Sequence, residues 1–399
     1  MSGLRLRHIA AVNPPIPCWD SIPDDEMLTF VPLEAVWPGR VDYSRQKPKS
    51  EVASGYTRFA EGDVIVPKIT PTFEADRSTV VAGMPTRIGT GTTELHVIRP
   101  SAAVDARYVN YLVSSRMFLH GGEAEMIGVA GQKRVPDAWL RNCPVPVGSV
   151  GEQRAIADFL DQETARIDAL VAAKRRMIEL LWEQWQACLN DQIGTRSGLK
   201  LKHLLSAPLA YGVLVPRHDP DGVPMLRIMD LRSGEVDLAT VSRIPQALSQ
   251  EFRRTIVRAG DLIVSVVGTL GRAFEVTPVL QGANLNRPLA RVQLLSDVSR
   301  QLLRWWFESE GFLDQAHLAT AGDSAQPTLG LGDLKNFAIN LPLDRAQWLA
   351  IEERLNRAWG KLDAMRSVLT RQIELLVEHR QALITAAVTG HLEIPGVAA

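Results

Sequence analysis

The feature that most constrains this chain is that it repeats itself. Two long helical patterns, from about Gly151 to Ile193 and from about Asp344 to Thr389, align without a gap over most of their length at a shift of about 195 residues. Ala155-Ile156 falls on Ala350-Ile351, Ile167-Asp168 on Leu362-Asp363, and Ile178-Glu179-Leu180-Leu181 on Ile373-Glu374-Leu375-Leu376. The regions before them match too. Gly62-Asp63-Val64-Ile65-Val66 corresponds to Gly260-Asp261-Leu262-Ile263-Val264, each a short strand entered by a Gly-Asp turn. A Gly/Thr-rich stretch follows, then a second β-rich run, Glu94–Ile98 and Leu289–Gln293. Next come a helical segment (Ala106–Leu119, Ser299–Leu313), a glycine-bearing loop (Gly128–Arg134, Ala321–Thr328) and a Pro-flanked apolar strand (Cys143–Val147, Phe337–Pro342). A duplicated α+β chain is expected: β-rich globule, long helix, β-rich globule, long helix.

The helices carry an apolar stripe with alternating spacings of four and three. In the first it is Ile167, Val171, Lys174, Ile178, Leu181, Trp185 and Cys188; in the second, Leu362, Arg366, Leu369, Ile373, Leu376, Arg380 and Leu383. Basic residues thin the seam without changing its 3.5-residue period. The spacing predicts that the two helices pair with one another. A helix of about 30 residues is about 45 Å long, against roughly 34–36 Å for one DNA turn. Two similar but non-identical globules spaced in that way suit a bipartite, asymmetric target.

Composition removes several classes. The 399 residues hold 44 Lys+Arg against 45 Asp+Glu, and 46 % are hydrophobic, so the chain buries real cores and is not disordered or low-complexity. A net charge of −1 means that nucleic-acid binding would have to rest on local patches. No apolar run approaches the roughly 18 residues of a membrane span, and MSGLRLRHIA lacks a signal core. Cys18, Cys143 and Cys188 lie far apart, and the eight histidines show no HExxH spacing. A cytoplasmic protein without metal or cofactor is expected.

Six segments, in order, resemble the specificity subunit of type I restriction-modification systems. Gly62–Pro71 is similar to the "GD-apolar run-KITP" segment of that family's target recognition domains, and Gly128-Val129-Ala130-Gly131-Gln132-Lys133-Arg134 to its "GxxGQxR" loop. Gly260–Val264 with Gly268-Thr269-Leu270-Gly271-Arg272 is similar to its "GD-strand-GxxGK" pattern, and Ala321-Gly322 with Gln326-Pro327-Thr328-Leu329 to its "G-x-Q-P-x-L" loop. Gly151–Asp161 and Arg380–Gly390 resemble the central and distal conserved regions. Two departures stand out: Gln347-Trp348 replaces Glu152-Gln153 in the second helix, and Phe73–Arg77 stands where the family often has a Cys and an Asn-Gly.

The resemblance implies a first target recognition domain at 1–149, a central helix at 150–197, a second recognition domain at 198–343, and a distal helix with tail at 344–399. It also implies that the helices pair as an antiparallel coiled coil with pseudo-twofold symmetry. The chain would be a non-catalytic subunit reading a split site in double-stranded DNA. It would recruit two adenine-N6 methyltransferase subunits and, through the complex, restriction-translocase subunits. The target adenine would be flipped out for chemistry done elsewhere. A related methyltransferase-nuclease system would use the same kind of subunit. A coiled-coil scaffold without DNA reading, and an enzyme in its own right, are the rivals.

Candidate DNA contacts are loop donors. Lys68, Thr70 and Arg77 follow a strand, and Gln132-Lys133-Arg134 follows a glycine turn. Thr269 and Arg272, the loop Asn284, Asn286 and Arg287, and Gln326 with Thr328 lie in the second half. Gln pairs with adenine bidentately, Arg with guanine, and Lys neutralises phosphate. Lys174, Arg175 and Arg176 form a basic run in mid-helix, either a solvated face or a phosphate contact. Asn13-Pro14-Pro15-Ile16 resembles the Asn-Pro-Pro-aromatic motif of amino-methyltransferases but ends in Ile, and no cofactor loop follows. It reads as a proline-rich chain entry. The glycines of Gly89–Gly91 and Gly268–Gly271 permit close approach to a neighbouring strand or to DNA; for the second stretch, closed by Arg272, DNA is preferred.

Overall fold

The Gly-Asp turn leads, in both halves, into the central strand of an antiparallel sheet. The computed structural model describes residues 4–129, 131–194, 198–231, 236–321 and 326–397. Ala130 and Gly322, members of the two glycine-bearing loops, lie outside the described residues. The chain forms two compact units, 1–175 with 370–399 and 176–369.

The first unit contains β1 (Ala10–Val12), β2 (Met27–Val31), β3 (Gln46–Pro48), β4 (Thr57–Ala60), β5 (Val64–Pro67), β6 (Thr79–Val80), β7 (Ile88–Gly91) and β8 (Leu95–Pro100). Its central sheet has the order β1-β8-β5-β6, antiparallel throughout. Val64, Ile65, Leu95, Val97 and Ile98 are all buried, which is why these strands read as continuous apolar runs. A second sheet has the order β3-β2-β7-β4, with β2 and β7 parallel. Gly89 and Gly91 lie in β7, and a Cβ on Gly89 would overlap the ring of Phe59 on β4. Those glycines therefore serve strand packing.

The second unit repeats the plan with β9 (Ala210–Tyr211), β10 (Val223–Leu226), β11 (Arg243–Ile244), β12 (Leu262–Ser265), β13 (Ala273–Glu275), β14 (Asn284–Leu285) and β15 (Leu289–Val292). The order β9-β15-β12-β13 matches the first central sheet, again all antiparallel. The smaller sheet β11-β10-β14 keeps the parallel pair, β10 with β14. The turn aspartates do the same work in each unit. Asp63 accepts from Ala60 N (2.8 Å) and Arg99 Nε (2.7 Å); Asp261 accepts from Arg258 N (2.7 Å) and Arg291 Nε (2.7 Å). The repeat also covers Leu4-Arg5-Leu6-Arg7-His8-Ile9 and Leu199-Lys200-Leu201-Lys202-His203-Leu204. In these, Leu6 N donates to Cys143 O and Leu201 N to Phe337 O, and both leucines are buried.

Each expected single helical segment is two helices. In the first unit they are α1 (Ala106–Val113) and α2 (Arg116–Ala124). Ser115 breaks the run because its hydroxyl accepts from Phe118 N and caps the second helix. The long helix α3 (Val150–Ile193) follows. In the second unit α4 (Arg300–Phe307) and α5 (Glu310–Ala319) are separated by Ser309, which caps Phe312 N in the same way, and α6 (Ala346–Val388) closes the chain. Of the Pro-flanked strands, the second shortens to Ala338–Ile339, pairing with Leu199–Lys200, and the first to a single bridge, Arg5 to Pro144.

The long helices run antiparallel within each unit. In the first, Lys174 Nζ donates to Gln372 Oε1 (2.6 Å), and Arg380 Nε lies 3.1 Å from Asp168 Oδ1. Ile156 and Leu160 share a core with Ile384, Ala387 and Val388. In the second, Trp185 packs on Trp359 at 4.9 Å between centroids, and Leu189 and Ile193 share a core with Trp348, Ile351 and Leu355. The heptad stripe is the least exposed line of each helix: Ile167, Val171, Trp185 and Leu369 are buried, and the rest are half-buried. Arg366 is the exception, exposed and paired with Asp363 of its own helix.

Candidate nucleic-acid interface

In the first unit the strand β5 runs out at Pro67 beside a hairpin made by the glycine-bearing loop. Ile127 and Arg134 exchange backbone hydrogen bonds (3.0 and 2.9 Å), and Gln132 N closes the tip on Val129 O (3.1 Å). The segment after β5 docks on this hairpin. Thr70 N donates to Lys133 O (3.0 Å), while Thr70 Oγ1 donates to Gly131 O (2.6 Å) and accepts from Lys133 N (3.1 Å). Lys68 bridges the two, donating from N to Glu94 O and accepting at O from Val135 N. Lys68, Thr70, Gln132, Lys133 and Arg134, distant in sequence, therefore stand at one end of the central sheet.

Their side chains divide by chemistry. Arg134 is held by Glu94, with Nε 2.9 Å and Nη2 2.7 Å from its oxygens. That hydrogen-bonded guanidinium lowers the Glu94 pKa, and Glu94 raises that of Arg134. Gln132 and Lys133 are exposed, and no side-chain hydrogen bond or ion pair restrains them among the described residues. His96 lies under the hairpin, fully buried, with Nε2 3.0 Å from Val135 O. Burial pushes its pKa down. Arg77 is elsewhere: its guanidinium stacks 4.3 Å from the Trp37 ring centroid. Thr70 spends its hydroxyl on the hairpin, so it positions the loop.

The second unit builds its counterpart from four adjacent segments. Gly268 N donates to Pro327 O (2.9 Å), and Val267 bridges to Thr328, as Ile69 bridges to Arg134 in the first unit. Val266 N donates to Pro288 O and Leu329 N to Val266 O, which brings in the loop of Asn286 and Arg287. Arg287 N in turn donates to Val213 O (3.0 Å), adding the exposed segment Leu214–His218, which the sequence had not singled out. Thr269, Arg272, Arg287, Gln326 and Thr328 are exposed and Asn286 half-exposed. Arg272 lies in the field of the half-buried Glu308, whose pKa is raised by desolvation.

Two expectations change. Asn284 is not a loop donor: it lies in β14 at 0 % exposure. Its amide is committed to Thr255 Oγ1, Ser249 and the backbone of Leu285, so it cannot reach a base. Gly271 approaches the protein, since a Cβ there would overlap Phe307 O. Of the basic run, Lys174 is bonded to Gln372, and Arg176 pairs with Glu179 and Glu183 of its own helix. Asn13 has a left-handed backbone (φ 51°), and its side chain donates to Asp137 and accepts from Val97 N. Those bonds occupy it as a structural clamp. No helix among the described residues is long and apolar enough to cross a membrane.

No family model matches the chain. Two β-rich units of one topology, joined to long helices, form the fold of type I HsdS subunits. The HsdS subunit from Thermoanaerobacter tengcongensis superposes with a TM-score of 0.50 at 16 % identity, covering 98 % of this chain and 96 % of that one. A chain solved to explain complex assembly and conformational transition of the type I R-M system superposes with a TM-score of 0.72 at 16 % identity, covering 98 % and 99 %. In sequence the chain is 39 % identical over 169 residues to the type I restriction enzyme EcoAI specificity subunit of Escherichia coli, across 41 % of this chain and 28 % of that protein. It is 36 % identical over 175 residues to the EcoEI specificity subunit, across 40 % and 29 %, and 24 % identical over 290 residues to the EcoBI specificity subunit, across 65 % and 60 %. The chain spans under a third of the length of the first two relatives it matches. It is a relative of the type I restriction specificity subunits.

Proposed function

We propose that this chain is the DNA-reading subunit of a type I restriction-modification complex, with each unit reading one half of a bipartite, asymmetric site. The observation that carries this is the paired construction of the two interfaces. In each unit the segment leaving the central strand is bridged to the glycine-bearing loop, and exposed amide or cationic donors stand beside that bridge. Such donors read base edges and phosphates. The chain acts without catalysis of its own. Its helices recruit two adenine-N6 methyltransferase subunits, and restriction subunits join through that complex. The domain limits of 1–149 and 198–343 are the replaceable modules. The test is to express the chain with its methyltransferase partner and map N6-methyladenine. A split, asymmetric motif that disappears with the chain is expected; a continuous palindrome, or methylation independent of the chain, overturns the proposal.

A further inference from the structure

Both interfaces carry aliphatic side chains in water beside their donors. In the first, Ile127 is 70 % and Val129 82 % exposed, on the same hairpin as Gln132 and Lys133. In the second, Leu214 is 55 % and Val215 74 % exposed, directly after the residue that hydrogen-bonds Arg287 and separated only by Pro216 from the exposed Arg217. Single exposed aliphatics are commonplace on proteins. Here a pair recurs in each unit, at the same end of the same sheet, on segments of unrelated sequence and different origin in the fold. The flanking charges fit a polyanion: Lys133 on one side, Arg217 and Arg287 on the other. The apolar feature that a duplex offers beside base-edge acceptors is the thymine C5-methyl in the major groove.

We infer that Val129, with Ile127, and Val215, with Leu214, are specificity-determining residues that cover thymine methyl groups, one set in each half-site. This rests on the DNA-reading function proposed above. Gln132, Gln326 and the arginines would address hydrogen-bonding edges, and the aliphatic pair would separate thymine from cytosine at a neighbouring position.

Uracil substitution tests this, because it removes only the methyl group. The full chain, with its methyltransferase partner, first selects its site from random duplexes, and each thymine of that site is then replaced by uracil in turn. At one or more positions of each half the replacement should weaken binding about fourfold, the worth of one buried methyl-sized group. Val129→Ala should erase that sensitivity in one half only and Val215→Ala in the other, with thermal unfolding unchanged because both side chains are exposed. Wild-type insensitivity to uracil at every position, with selective binding intact, overturns the inference and spares the function. The same holds for alanine variants that keep the wild-type sensitivity, including variants that instead weaken the methyltransferase partner. Failure to select any sequence overturns the function itself.

Discussion

The two interfaces share a frame and differ in what they hold out. In the first, the arginine of the loop is tied to Glu94, leaving an amide and an amine, Gln132 and Lys133, at a hairpin tip. In the second, no carboxylate hydrogen-bonds Arg272 or Arg287 among the described residues, and both stand exposed with Gln326, Thr269 and Thr328. Strand order, the Gly-Asp turn and the bridge between loops are the same in both. The apolar strands conserve the frame because one buried arrangement satisfies their backbone, whereas a loop tip in water is free to change its donors. A duplicated frame with unlike tips is what an asymmetric target requires.

The sharpest break of the comparison lies in the buried ion pairs beneath the frames. Asp261 and Arg291 are 10 % and 7 % exposed, whereas Arg99, the partner of Asp63, is 30 % exposed. Removing one partner of a buried pair strands the other charge at a cost of about 3–5 kcal/mol. Asp261→Ala should therefore lower the unfolding free energy by about that much, and Asp63→Ala by distinctly less because water reaches Arg99. Chemical denaturation of both variants checks the order. Equal losses would mean that solvent access does not separate the two pairs.

The duplicated frame was legible because it is written in long-range periodicity. The helix limits fall within about two residues of those expected from the pattern, and the stripe from Ile167 to Cys188 follows the least exposed line of its helix. The pairing of Thr70 with the Gly131–Lys133 backbone was not legible, since it depends on hydrogen bonds between segments about 60 residues apart. Asn284 misled for a local reason. Asn284-Leu285-Asn286-Arg287-Pro288 has loop composition, but two of its residues form a strand too short to show alternation. Leu4–Ile9 and Leu199–Leu204 carried a readable signal at the same shift as the helices, and it was missed. Leu214–His218 carried none, because its position beside Arg287 comes only from tertiary hydrogen bonds.

The glutamines compare the two tips directly. If each reads a base edge, Gln132→Ala and Gln326→Ala should each cost about 1–3 kcal/mol of specific binding. The motif should relax at one position in one half for the first, and at one position in the other half for the second. Binding to a library of single-base variants of the site measures both. Relaxation of the same half by both variants would contradict the assignment of one unit to each half.

A smaller difference concerns pH. Burial raises the pKa of Asp76 to about 7, against the opposing pull of hydrogen bonds from Ser114 and Ser78 and of the Arg380 charge. A carboxyl whose pKa is higher folded than unfolded stabilises fully below its unfolded value, and that stability is lost as pH rises through the folded one. The first unit should thus weaken between about pH 4 and 7. Asp76→Asn, an amide that tolerates the left-handed backbone there (φ 50°), should stabilise the chain at pH 8 by about 1–2 kcal/mol and do little at pH 4. Glu308, half-buried near Arg304 and Arg272 in the second unit, gives that unit a raised carboxyl of its own. Unfolding across the range in the Asp76→Asn variant should lose the fall that Asp76 supplies and keep the slopes of Glu308 and of His96, whose lowered pKa acts in the opposite sense. An unchanged profile would show that Asp76 ionises normally in the fold.

The smallest expected effect separates phosphate contact from base reading at a single tip. Lys133 is exposed and its side chain has no partner among the described residues, so its removal should leave folding untouched. A compact ammonium at that position suits a phosphate, where it would release about one counterion on binding. Lys133→Ala should then weaken all sequences alike, by under about 1 kcal/mol near physiological salt, and reduce the slope of log affinity against log salt by about one unit. The motif should stay unchanged. Titrations of the specific site and of an unrelated duplex at several salt concentrations check this. If the specific site alone weakened while the slope held, Lys133 would belong with Gln132 among the base-reading donors, and the first tip would carry two letters' worth of contacts instead of one letter and an anchor.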